Sequence, residues 1–166
     1  MTVRFTLEQR FNAAIDDVQA AFLNPEVLAS LSDLPNVGKL RLLDQARDGA
    51  TVRQRIHYAF TGKLSAAARA VVDPARLTWV EEQRHDTAGH RAAVRIVPDH
   101  YGDHFTCAGT VALYEAWGAV RRVTEAEMTV DIPLVGHKVE QTIVDGLREH
   151  AAAEAKVVQA WLDKVG

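Results

Sequence analysis

The sequence has one cysteine, Cys107, among 166 residues, so no intramolecular disulfide can form. It has no apolar run approaching the roughly 20 residues that cross a bilayer, which excludes a transmembrane helix. It has no excess of positive charge. Nineteen Lys and Arg stand against 22 Asp and Glu, and a net charge of -3 gives no basic footprint for nucleic acid. It has no glycine-rich phosphate loop, no Ser/His/Asp order and no CxxC pair. No repeat, low-complexity tract or interdomain linker divides it. A secretory signal needs an unbroken apolar stretch near the start, and Arg4, Glu8 and Arg10 interrupt that region. A cytoplasmic location and a reduced Cys107 thiol are therefore expected.

What remains is an ordinary globular composition, 48% hydrophobic and 25% charged. Residues 1–166 are read as a single domain, long enough to bury a core without disulfide or metal staples. Arginine outnumbers lysine 14 to 5, a bias that coding preference explains as well as physics does.

The hydrophobic pattern alternates with period two from Met1 to Phe11, as in a half-buried strand, with Gln9 interrupting the apolar face. Ile15, Val18, Ala21 and Phe22 then recur at helical spacing. Asn24-Pro25-Glu26 restarts the chain as a second short helix, with Asn as cap and Pro at the first helical position. Strands are predicted over Gly38–Arg47, Thr51–Phe60, Arg76–Asp86, Arg91–Val97, Phe105–Ala116 and Ala119–Ile132. Asp48-Gly49, Ala88-Gly89 and Gly118 mark turns. The stretch Gly62–Ala75 is irregular, and Pro98–His104 is a polar loop. From Leu134 to Val165 one apolar stripe includes Val139, Ile143, Leu147, His150, Val157 and Trp161, which predicts a long amphipathic helix.

The order is α+β. Successive antiparallel strands with short turns make a curved sheet, and only its inner face is large enough to bury the stripe of the long helix. A straight helix across a strongly bent sheet leaves space between them, so an internal cavity is expected.

The strand Phe5-Thr6-Leu7-Glu8, the following Val18-x-x-Ala21-Phe22 and Asn24-Pro25-Glu26 are similar to the start of many members of the START and Bet v 1-like (SRPBCC) superfamily. The segment from Val130 to Glu140, running into Ala153-Glu154 and Ala160-Trp161-Leu162, resembles a bacterial family known as domain of unknown function number 2505. The resemblance implies a helix-grip fold: a curved antiparallel sheet of about seven strands wrapped around a long C-terminal helix, with two short helices after the first strand. It also implies a hydrophobic small molecule or lipid as partner. It carries no catalytic motif, metal or cofactor to transfer.

Candidate cavity-lining, ligand-binding residues are Tyr58, Phe105, Cys107, Met128, Ile143, Gly146, Leu147 and His150. Tyr58 and Met128 share the apolar faces of their strands, and Phe105 and Cys107 share a face with Val111 and Leu113. Trp79 shares a face with Glu81 and Gln83, which either meets solvent or puts polar groups inside. Tyr114 falls on the face opposite Cys107. His150 sits on the helix stripe with Glu154 one turn later, a pair able to form a hydrogen-bonding patch or an acid/base pair. Gly146 costs about 1 kcal/mol of helix stability relative to alanine, which space for a ligand or a close strand would offset. Gln9 and Gln54 are candidate polar anchors. His100 and His104, beside Asp99 and Asp103, have metal-ligand spacing, but Pro98 and Gly102 read as loop and no third ligand is fixed. Arg53, Arg55, Arg121 and Arg122 are read as cross-strand partners on a solvated face. The expected function is a binder of a hydrophobic small molecule. The alternatives are a polyketide cyclase or dehydratase-like enzyme working in the same cavity, with His150, Glu154 and Tyr58 as first candidates, and a chaperone-linked interaction module marked by an exposed apolar patch.

Overall fold

The computed structural model describes residues 2–165. β1 (Thr2–Phe11) leads into two short helices, α1 (Ile15–Leu23) and α2 (Pro25–Ser30). β2 (Val37–Asp48) and β3 (Thr51–Phe60) follow, then a single helical turn, α3 (Ala66–Arg69). β4 (Thr78–Asp86), β5 (Arg91–Pro98), β6 (Phe105–Ala116) and β7 (Ala119–Val130) complete the strands. The chain closes with α4 (Gly136–Val165). This is the helix-grip fold expected from the order of the elements.

All neighbouring strands are antiparallel, in the order β1-β7-β6-β5-β4-β3-β2. The turns follow their residues. Gly49 takes φ 60° between β2 and β3. Trp117 and Gly118, at φ 54° and 76°, form the tight turn between β6 and β7, where two positive φ values match the twist of the strands. Asn24 caps α2 by accepting a hydrogen bond from the Glu26 amide at 2.9 Å. The irregular stretch 62–75 contains α3, capped by Ser65, and the start of a short 3-10 turn at Pro74–Arg76.

Three expected boundaries move by two residues, and the first is the start of β4, at Thr78 rather than Arg76, because Pro74–Arg76 form the 3-10 turn. β7 stops at Val130, and α4 begins at Gly136 rather than Leu134. Pro133 cannot extend a ladder, and Leu134 sits at φ 72°, outside helical geometry. β2 changes register twice, between Gly38 and Arg41 and between Leu42 and Asp44, with Lys39 at φ 53°.

The apolar residues divide into two buried groups. One gathers Phe11, Val18, Val27, Leu31, Ile56 and Val120 with Val158 and Leu162 of α4, beneath α1 and α2. The other gathers Phe5, Phe60, Leu64, Val72, Met128 and Val130 with Val139 and Ile143. Trp79 and Leu147 pack against both. α4 lies mainly along β1 and β7, so the concave face of β3 to β6 stands away from it. Among the described residues, no helix is long and apolar enough to cross a membrane.

Candidate functional site: a chamber with one polar end

A chamber of about 200 Å³ lies between α4 and the concave face of the sheet. That exceeds the roughly 150 Å³ in which an apolar protein cavity holds benzene. Its apolar wall comes from Phe5 and Leu7 of β1, Phe60 of β3, Val94 and Ile96 of β5, and Ala126 and Met128 of β7. α1 contributes Phe22, α2 contributes Leu28, and Leu31 follows directly after α2. Tyr58, Phe105, Cys107, Met128, Ile143, Leu147 and His150 all border it.

Gly146 does not border it. A Cβ there would stand 3.1 Å from Asn36 Cβ and 3.3 Å from Phe60 Cε1. The glycine admits the chain just before β2. The Asn36 amide donates to the Gly146 carbonyl at 3.2 Å and to the Glu149 carboxylate at 2.9 Å. Gln54 is also turned from a candidate anchor to another task. It is buried and donates to the carbonyl of Phe22 at 3.2 Å, satisfying one of the orphan acceptors at the end of α1.

One end of the chamber is polar. On β4, Trp79, Glu81 and Gln83 all face inward, so the alternation there carries polar groups into the interior. Trp79 stacks on Tyr58, with ring centroids 6.0 Å apart. Tyr58 is buried, and its hydroxyl, the Glu81 carboxyl and the Gln83 amide lie together at this end. From α4, His150 and Glu154 face them, with His150 Nε2 3.4 Å from Glu154 Oε2. Gln9 of β1 bridges. Its amide nitrogen donates to Glu154 at 2.9 Å and to the Ala151 carbonyl at 2.8 Å, and its oxygen accepts from Arg122 at 2.7 Å.

Arg122 is the residue that sequence reasoning misplaced. Arg121 pairs with Glu8 on the outer face, as expected, but Arg122 points inward. Its guanidinium lies 3.5 Å from Glu154 and 3.9 Å above the ring of Phe22. The signal was parity, because Arg122 lies between Val120 and Thr124 on the same face of β7.

Burial sets the ionisation of the polar end. It pushes Glu81 above the ordinary carboxyl range, and the nearby Glu154 charge works in the same direction against Arg122. Burial also opposes ionisation of Glu154, but the hydrogen bond from His150, the Arg122 charge and the bond from Gln9 outweigh it and hold that carboxyl below its usual range. Tyr58 is raised well above a free phenol by burial and by Glu81. Cys107 is pushed up to about 12 by burial and then by Glu81, so its thiol is unreactive as a nucleophile. His85 is pushed down to about 4 by burial and by Arg122.

The remaining candidates disperse. Asp99 accepts from His57 at 2.6 Å and from Thr78 at 2.7 Å, His100 faces Arg76, and His104 donates to the Asp131 carbonyl. Among the described residues, no three His, Cys, Asp or Glu side chains are grouped to hold a metal ion. Tyr114 is exposed, on the outer face. Trp117 and Leu134 are fully exposed but stand beyond opposite ends of the 12-residue β7, so they form no common patch.

A family model described as protein of unknown function (DUF2505) matches residues 6–162. A search of curated proteins finds no match. Solved structures share the fold. TTHA0849 from Thermus thermophilus is 19% identical, with 99% of each chain covered and a TM-score of 0.68. The Zhui aromatase/cyclase from Streptomyces sp. R1128 is 12% identical, with 99% of this chain and 95% of that chain covered and a TM-score of 0.68. Norcoclaurine synthase from Thalictrum flavum, in complex with dopamine and hydroxybenzaldehyde, is 17% identical, with 95% and 87% covered and a TM-score of 0.60.

Proposed function

The chain belongs to the DUF2505 family, and from that premise we propose that it binds an apolar small molecule in the chamber beneath α4. The observation that carries this reading is an interior space walled by apolar side chains from the sheet and three helices, with a cluster of hydrogen-bonding groups at one end. Apolar walls supply affinity, and a few placed polar groups supply orientation. Norcoclaurine synthase holds small aromatic molecules, and its likeness in fold makes the same use of this interior reasonable.

The test is titration with N-phenyl-1-naphthylamine, an uncharged dye that brightens in apolar surroundings. A saturable, one-to-one rise in fluorescence is expected. Cys107→Trp, which fills the chamber, abolishes it, while Trp117→Ala at the exposed hairpin leaves it intact. Circular dichroism establishes that both variants are folded. No saturable rise, or an undiminished rise in the filled variant, would sink the reading.

A cyclase-like enzyme in the same chamber is the second reading. It is favoured by two carboxyls, Glu81 and Glu154, whose surroundings push their ionisation in opposite directions. Conversion of a bound ligand, lost on Glu154→Gln, would move the reading from binder to enzyme.

A further inference from the structure

Three glutamines cross the sheet in one row. Gln45 of β2 stands opposite Gln54 of β3, and Gln54 stands opposite Gln83 of β4. The row ends at α1, whose last carbonyls have no partner within the helix and can only accept. That fixes the direction of every amide. Gln45 turns its nitrogen to the Leu23 carbonyl at 2.8 Å and donates at 2.8 Å to the oxygen of Gln54. Gln54 therefore turns its nitrogen to the Phe22 carbonyl and to the oxygen of Gln83, the latter at 2.7 Å. His85, kept neutral by burial, donates its Nε2 proton to the same oxygen at 2.7 Å. With its oxygen taken twice, Gln83 is left with its nitrogen toward Glu81.

The Glu81 carboxyl faces the chamber beside Tyr58. Around it stand Tyr58 from β3, Gln83 from β4, Cys107 from β6, Arg122 from β7, Gln9 from β1, and His150 and Glu154 from α4. The one guanidinium at this end is divided between Gln9, Glu154 and the Phe22 ring. Among the described residues Glu81, the second carboxyl beside Glu154, has no ion-pair partner, and burial pushes it toward the protonated form against the more distant Arg122 charge. A protonated carboxyl is a donor, and so is the neutral phenol next to it.

We propose that the Tyr58 hydroxyl and the Glu81 carboxyl form a two-donor clamp for the carbonyl oxygen of an uncharged apolar ligand, a ketone or quinone. The proposal rests on the binding reading above and names the class of molecule that the chamber takes. At this end an anionic group would meet Glu154 and a guanidinium already shared, while Arg76, which also borders the chamber, lies with His100 and Tyr101 instead. An amine cation would require Glu81 to give up its proton.

Three probes of one bicyclic skeleton test it by calorimetry on the full chain: 2-tetralone, tetralin without the oxygen, and protonated 2-aminotetralin. The ketone is expected to bind about tenfold or more tighter than the hydrocarbon at the acid end of a pH series, the scale of two hydrogen bonds. Glu81→Leu brings that ratio close to one, and Tyr58→Phe lowers it several-fold. Glu81→Gln, which keeps an N–H donor, retains most of it. In the wild type the ratio falls as pH rises and Glu81 ionises, because the donor is lost; in Glu81→Gln it stays flat. Retained tetralin affinity shows that each variant keeps its chamber. Equal binding of ketone and hydrocarbon in the wild type, tightest binding of the amine, or an unchanged ratio in Glu81→Leu overturns the clamp alone. Failure of all three probes to bind overturns the binding reading and the clamp with it.

Discussion

Glu140 is a carboxylate with no exposed surface at all. Its Oε2 accepts from the Val130 amide at 2.8 Å, which ties the first turn of α4 to the last residue of β7. Its Oε1 has no hydrogen-bond partner, and His137 stands 3.6 Å away. Removing the side chain leaves a buried amide unsatisfied, a loss of about 1–3 kcal/mol, with a void added to it. Glu140→Ala is therefore expected to lower the urea midpoint clearly, and Glu140→Gln, which keeps an acceptor oxygen, to lower it less. Equal midpoints for Glu140→Ala and the wild type would refute the anchoring role. Nothing in the helical periodicity announces this residue. A glutamate on an amphipathic helix reads as solvated by default, and the contact with Val130 depends on the path of Pro133 to Val135, which has no period. Arg122 differs, because its parity on β7, shared with Val120 and Thr124, is readable in the sequence.

At the scale of elements, strand faces were legible wherever apolar residues kept one parity. Tyr58 on β3 and Met128 on β7 reach the interior for that reason. β4 was ambiguous because Trp79, Glu81 and Gln83 share a face, and hydrophobicity alone cannot tell a polar interior from a wetted surface. The ambiguity resolves only when β4 takes its place between β3 and β5, with the same face directed to α4. Gly146 was visible as an oddity in the helix, but the reason for it lay in Asn36, 110 residues earlier. Asn36 sits at φ 67° and its Cβ cannot swing aside. Gly146→Ala gains about 1 kcal/mol of helix propensity. The 3.1 Å approach to Asn36 is expected to outweigh that gain, so thermal melting should show net destabilisation. A rise in melting temperature would mean that the 36 segment yields without cost.

For the molecule as a whole, His85 links acidity to stability. The folded protein does not protonate it until about pH 4, whereas an unfolded chain takes up that proton near the ordinary histidine value of about 6.5. Between those values the unfolded state binds more protons, so stability falls as pH drops across that window and the loss levels off below it. Melting curves taken from pH 7 to pH 4 should show this decline. His85→Gln, which can still offer a donor to Gln83, should make the slope shallower, and superimposable slopes would count against His85 as its source.

The chamber lies between two buried apolar groups that meet through Trp79 and Leu147. Cooperative unfolding requires the two halves to lose their packing together, and a gap between them weakens that connection. A molecule seated there would touch Phe22 and Leu31 of one half and Phe5 and Met128 of the other, and so would serve as part of the core. Because it binds only the folded chain, its affinity adds directly to folding stability, by about 2.7 kcal/mol at a hundredfold excess over Kd. Occupancy would then be read by the cell as lifetime: the filled protein resists opening and proteolysis, and the empty one turns over sooner.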